Sequence, residues 1–206
     1  MFGKTKSKFQ NEKTNFFPAS PYGVAKLYAH WITINYRQAY NIYACNGILF
    51  NHESPRRGIN FVTKKIISGL CNIKKNKQNI LYLGNLYAKR DWGYAPDYCE
   101  AMWKILQQKK PDDYVIATGK QYTVKDFINL TAKQLKMKIF WKGKNLKEKA
   151  YFNDKVIIEI DKKYFRPTEV DSLRGDYSKA KKKLRWKPKI TIKELIKEMI
   201  SSELSN

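Results

Sequence analysis

Ile42-Tyr43-Ala44-Cys45-Asn46-Gly47-Ile48-Leu49-Phe50, followed at once by Asn51-His52-Glu53-Ser54-Pro55-Arg56-Arg57-Gly58, is the stretch that decides the fold. A short, nearly continuous apolar run predicts a strand buried on both faces, as in a parallel α/β sheet. The polar run with Pro55 and Gly58 predicts a loop at that strand's carboxyl end. In open α/β sheets, ligands gather at such ends.

Upstream, Ser20 and Pro21 predict a helix start. Ser20 is the N-cap, and Pro21 sits in the first turn, where its missing N–H costs nothing. Val24, Leu27, Trp31, Ile34 and Tyr36 continue at near-helical spacing to about Tyr40. Downstream, helices are predicted near 61–70, 97–108, 124–135, 178–184 and 191–204, with Thr123 capping the third of these. Strands are predicted at 81–84, 114–119 and 156–160. The Lys-rich stretch 140–155 reads as a surface excursion. Strands alternating with helices give an α/β fold class.

Composition bounds the rest. With 206 residues, 43% hydrophobic and 14% aromatic, the chain has enough apolar surface for a core. No apolar run approaches the roughly 20 residues a membrane helix needs. The first fifteen residues are polar and Lys-rich, unlike a secretory leader. Cys45, Cys71 and Cys99 are widely spaced and odd in number, so neither a disulfide framework nor a metal site follows. They read as buried or half-buried free thiols in a reducing cytoplasm. The net charge of +23 is spread along the chain in a composition that favours Lys, Asn and Ile. That pattern argues against a dedicated nucleic-acid surface, although charge of this size attracts phosphate.

Tyr22-Gly-Val-Ala-Lys26 places a phenol and an ammonium at i and i+4 on one helix face, within the first turns. The ammonium and the helix dipole both favour a phenolate there, which suits general acid–base work. Taken alone, the pair is also an ordinary coincidence on a chain rich in Tyr and Lys. Asn51, His52, Arg56 and Arg57 add an amide, an imidazole and two guanidiniums at the strand end, and Arg forks suit phosphate. Arg90-Asp91-Trp92 and Arg166-Pro167-Thr168-Glu169 each set an Arg beside a carboxylate. Each is either an ion pair or a phosphate and ribose contact, and spacing does not decide between them.

These segments, with Phe61-Val62-Thr63, Tyr82-Leu83-Gly84-Asn85, Tyr114-Val-Ile-Ala-Thr-Gly119, Tyr164-Phe-Arg-Pro167 and Trp186-Lys-Pro188, resemble the GDP-mannose 4,6-dehydratases, extended short-chain dehydrogenases. The resemblance runs in one register from about Phe2 to the C-terminus. Its most specific part is the run from Asn46 to Gly58. Tyr-x-x-x-Lys alone indicates only the superfamily.

The resemblance implies the second half of a Rossmann-type NAD(P)-binding fold plus a smaller C-terminal substrate-binding lobe. Residues 16–60 and 112–136 would hold the remaining Rossmann elements, and 61–111 and 137–206 mainly the lobe. It implies conversion of GDP-mannose to GDP-4-keto-6-deoxymannose, with NADP taking a hydride from sugar C4 and returning it at C6. Tyr22 matches the base that takes the C4 hydroxyl proton, and Lys26 the lysine on the nicotinamide ribose. His52 and Arg57 match cofactor contacts. Asn51, Lys65, Arg90, Arg166 and Glu169 match positions that hold the GDP-sugar. No metal is implied. A cytoplasmic homo-oligomer is implied, assembled partly through the helix at 22–40.

Two departures stand out. No G-x-x-G-x-x-G turn occurs in the 206 residues, although the family binds its dinucleotide with one. The family's Thr/Ser and Glu for the elimination precede the stretch matched by Met1-Phe2-Gly3. The expectation is therefore a chain inactive alone, working with a separately encoded N-terminal half or persisting as a sugar-binding remnant. Arg185 stands where the family usually has Gly.

Overall fold

The computed structural model describes residues 1–165, 168 and 170–205. In chain order its elements are α1 (Pro21–Tyr40), β1 (Gly47–Leu49), β2 (Asn51–Glu53), α2 (Val62–Lys74), β3 (Leu81–Leu83), β4 (Lys89–Arg90), β5 (Trp92–Tyr94), α3 (Ala95–Leu106), β6 (Tyr114–Ile116), β7 (Tyr122–Thr123), α4 (Val124–Gln134), β8 (Phe140–Lys142), β9 (Lys149–Phe152), β10 (Lys155–Ile160), α5 (Ser178–Leu184) and α6 (Ile192–Ser205). They form two compact units. The first is Met1–His52, Lys89–Gln121 and Thr168–Ile190; the second is Glu53–Ala88, Tyr122–Pro167 and Thr191–Asn206.

The first unit is built on β1 and β6, which pair in parallel with Ile48 opposite Val115. Period-2 alternation sends their side chains to two faces. Tyr114 and Ile116 face Tyr98, Ala101 and Ile105 of α3 and Ala180, Leu184 and Trp186 around α5, with Leu49 packed alongside. Ile48, Phe50, Val115 and Ala117 face Phe2, with Phe16 and Leu173 alongside. The predicted strand is thus covered on both faces, as expected. It is shorter than 42–50, because Ile42 and Tyr43 are exposed and pair with no strand.

α1 starts as its sequence predicts: Ser20 Oγ accepts from the Gly23 amide at 3.0 Å, with Pro21 in the first turn. It ends at Asn41 in the left-handed conformation, which Asn tolerates better than most residues. Its C-terminal end is held by Arg37, which donates to both oxygens of Asp113 (3.0 and 3.1 Å) and to the Ala44 carbonyl. Asn46 donates to Asp113 Oδ1 through its amide and its side chain, both at 3.0 Å. The helical periodicity is real but its apolar face is not buried. Only Gly23 and His30 of α1 are buried, while Val24, Tyr28, Trp31, Tyr36 and Tyr40 are exposed.

The second unit sets α2, α4 and α6 against one another, burying Ile66, Ile67, Leu70, Phe127, Ile128, Leu195, Ile196 and Met199. Its sheet runs β3-β10-β9-β8, with β3 and β10 parallel and the rest antiparallel. The stretch 140–155, expected as a surface excursion, supplies two of these strands. Phe140 stacks on Tyr151 at 5.3 Å, and the hairpin turns through Asn153 and Asp154 at φ 49 and 60, the pair of positive φ values a tight hairpin needs. Interspersed lysines hide the alternation in the sequence.

The units cut the chain at other places than the sequence reading. Residues 89–111 fall in the first unit, because α3 packs on β6. Residues 122–136 fall in the second, because α4 packs with α2 and α6. Of the thiols, Cys71 is buried and Cys45 half-buried, as expected, while Cys99 is exposed.

Candidate active site

In the first unit the carboxyl ends of β1 and β6 lead into Asn51-His52 and Thr118-Gly119. His52 Nδ1 lies 2.9 Å from the Phe50 carbonyl. A carbonyl only accepts, so Nδ1 carries the proton of this contact, which leaves Nε2 for another partner. The ring packs on Tyr98 at a centroid distance of 5.1 Å. Asn51 is half-buried beside it.

The structure brings Tyr22 and Lys26 together on α1, with the ammonium 5.6 Å from the ring centroid. Both are exposed, Tyr22 at 73%. The i,i+4 geometry of the sequence reading is therefore present, at the end of the helix where backbone N–H groups favour negative charge.

Arg90 donates to the carbonyls of Val170 (2.5 Å) and Lys89 (2.9 Å). Its neighbour Asp91 is fully buried. Asp91 Oδ1 accepts from the Thr118 amide at 2.9 Å and the Thr118 hydroxyl at 2.6 Å. Asp91 Oδ2 accepts from the amides of Gly119 (2.9 Å) and Gly175 (3.2 Å). Burial pushes this carboxyl up, against the pull of those donors. Gly175 is required by close approach, since a Cβ there would lie 2.2 Å from that of Ala117. Sequence reading saw Asp91 only as a carboxylate beside an arginine. Its partners lie 27 and more residues away, so no local pattern announces it.

In the second unit, Arg57 lies with Nε 3.0 Å from Glu53 Oε2. Its orientation there is not that of a hydrogen bond, so the contact is ionic. The guanidinium covers the Phe61 ring at 3.5 Å. Glu53 is buried and accepts from the Thr63 hydroxyl at 2.7 Å. Burial pushes it up, while Thr63 and Arg57 pull it down. Lys65 sits 3.5 Å over the Tyr164 ring, a cation–π contact that fixes its stem. Arg166 and Glu169 lie outside the described residues.

The first unit also has a cleft of about 700 Å³ lined by Phe16, His30, Trp31, Ile34, Ile48 and Asp113 among others. None of the candidate site residues lines it. His30, buried at 7% exposure, lines it, and its buried Nδ1 has no hydrogen-bond partner.

The family profile for GDP-mannose 4,6 dehydratase matches residues 1–199. The chain belongs to this family. It is 53% identical over 206 residues to a GDP-mannose 4,6 dehydratase of Dictyostelium discoideum, covering 99% of this chain and 58% of that protein. The corresponding human protein is 50% identical, with 99% of this chain and 55% of that protein covered. The chain thus spans little more than half the length of these dehydratases. Among solved structures, RMD from Pseudomonas aeruginosa complexed with NADPH superposes with a TM-score of 0.83 at 20% identity, over all of this chain and 63% of that one. A dTDP-glucose 4,6-dehydratase from Bacillus anthracis in complex with NAD gives 0.80 at 19%, covering all of this chain and 59% of that one. At those identities the likeness shows the fold, a mixed α/β architecture with parallel pairings shared across nucleotide-sugar enzymes. Among the described residues of this dehydratase-family chain, no helix is long and apolar enough to cross a membrane.

Proposed function

We propose that this chain carries the proton-transfer and sugar-binding part of a GDP-mannose 4,6-dehydratase. The observation that supports this most is the Tyr22–Lys26 pair, on one face of a well-capped helix, in a chain of this family. Tyr22 takes the proton of the sugar C4 hydroxyl, and the Lys26 ammonium lies over its ring. In the first unit Asn51 and Arg90 bind the GDP-sugar, and Lys26 and His52 hold the cofactor. In the second unit Arg57 and Lys65 carry the corresponding cofactor and substrate roles, and Arg166 and Glu169 the remaining substrate contacts.

The residues of the first unit fit NADP. Lys26 is exposed and meets a ring face rather than a carboxylate among the described residues, which leaves its charge for a ribose or phosphate. His52 leaves Nε2 for a hydroxyl. When bound, NADP supplies the acceptor for the C4 hydride.

The 206 residues hold no Gly-rich dinucleotide turn. We infer that turnover requires, besides these residues, that turn and the Thr/Ser and Glu of the elimination. The edge of β1 opposite β6 pairs with no strand among the described residues. That edge is a surface on which another strand would add. The exposed aromatics of α1 fit a second copy of this chain.

The test is to assay GDP-mannose with NADP for the 4-keto-6-deoxy product, using this chain alone and then with a chain carrying the Gly-rich turn. Turnover by the pair, lost at least about 100-fold in Tyr22→Phe, is the expected result; general bases contribute factors of that order. Binding of GDP-mannose with no turnover in either arm would leave a sugar-binding remnant. Absence of binding in both arms would sink the reading. Light scattering of Trp31→Glu against the parent chain checks self-association through α1.

A further inference from the structure

Three consecutive residues hold one distant segment. The Lys89 amide donates to the Asp171 carbonyl at 2.8 Å, and the Leu173 amide to the Lys89 carbonyl at 3.3 Å. Arg90 donates to the Val170 carbonyl, and Asp91 accepts from the Gly175 amide. The same Asp91 carboxylate holds Thr118 and Gly119, directly after β6. At the other end of the segment, the Thr168 hydroxyl donates to the Ala19 carbonyl at 2.6 Å, one residue before the cap of α1. Val170–Gly175 is therefore a strap tied to the end of β6, and Thr168 is tied to the start of the helix that carries Tyr22.

We infer that Asp91 is a positioning residue for sugar-nucleotide binding: its carboxylate fixes the Val170–Gly175 strap and the Thr118–Gly119 turn, and so the setting of Arg90. This rests on the reading above that Arg90 binds the GDP-sugar.

The chemistry explains why a buried carboxylate stands here. Four donors converge, and only an all-acceptor group with two oxygens satisfies them all. An amide would turn an NH2 toward two donors at one oxygen position, leaving at least one buried pair opposed. Nearby groups reinforce the arrangement. Arg174 Nε donates to the Gly119 carbonyl at 2.6 Å, and Gln121 Nε2 to Ser172 Oγ at 2.6 Å. Buried Gln10 bonds the backbone of Arg174 and Asp176. Without Asp91, these contacts still hold the middle of the strap, while its Gly175 end loses its tie to the Thr118–Gly119 turn.

The experiment compares Asp91→Asn with the parent chain and with Leu184→Ala, a core substitution on α5 in the same unit. GDP-mannose affinity is read by calorimetry, stability by thermal melting, and the amides of Thr118, Gly119 and Gly175 by hydrogen exchange. Asp91→Asn is expected to weaken GDP-mannose binding at least tenfold and to speed exchange at those amides at least tenfold. Leu184→Ala is expected to lower the melting temperature while keeping affinity within twofold. Affinity unchanged in Asp91→Asn, or lost equally in both variants, overturns the inference. If the parent chain binds no GDP-mannose, the functional reading fails, and unchanged exchange in Asp91→Asn would then overturn the positioning role as well. Should Asp91→Asn not fold, Thr118→Val removes one donor only; a threefold or greater loss of affinity supports the inference, and parental affinity refutes it.

Discussion

Arg185 ends α5 in the left-handed conformation, at φ 51. A residue with a Cβ in this region costs about 1–2 kcal/mol relative to the right-handed region. Glycine removes that cost but brings roughly 0.5–1 kcal/mol of extra backbone entropy in the unfolded chain. The Arg185 side chain is exposed, so its removal sacrifices no packing. Arg185→Gly is therefore expected to stabilise the chain by about 0.5–1 kcal/mol. For a chain of this size that is a rise in melting temperature of about 1–4 °C. Urea unfolding followed by circular dichroism gives the free energy directly. Arg185→Ala provides the control, because it keeps the Cβ and should melt with the parent. Arg185→Asn should fall between the two. If the glycine variant melts at or below the parent while the alanine variant is unchanged, backbone strain at this cap is not what limits stability.

Burial alone pushes Asp113 up, but the Arg37 fork and the Asn46 donors outweigh it and hold the carboxyl below the usual range. Its stabilising contribution is complete above the unfolded value of about 3.9 and is lost as pH falls through the lower native one. Asp113→Asn should cost about 3–5 kcal/mol at neutral pH, as for breaking a largely buried pair, and should flatten the melting curve's acid limb below about pH 4. Trp186→Ala should cost about 3–5 kcal/mol by urea midpoint, since the indole is buried between Tyr98 and Tyr177 and donates to the Asp97 carbonyl. Thr123→Ala should cost about 1 kcal/mol, because Thr123 and Asp126 close a reciprocal cap on α4; a neutral effect would mean that the packing of α4 alone holds its end.

Local rules fixed much of this chain. Ser20 and Thr123 cap their helices as their positions predict, because a cap needs only a hydroxyl and an amide three residues on. The apolar run ending at Phe50 and the one at Tyr114 become the parallel pair, because sheet faces follow a period of two. The pairing of Tyr22 with Lys26 was legible for the same reason: helical spacing sets which side chains are neighbours. What sequence could not decide depends on groups far apart along the chain. Stretch 140–155 becomes strand only because β10 offers it a paired edge. The apolar residues of α1 look like core in periodicity, yet remain exposed because nothing in the first unit covers them. Asp91 reads as one half of an ion pair until tertiary folding brings the amides of Gly119 and Gly175 to it. Hydrogen-bond partners of a buried carboxylate are chosen by the path of the backbone, and that path is a property of the whole fold.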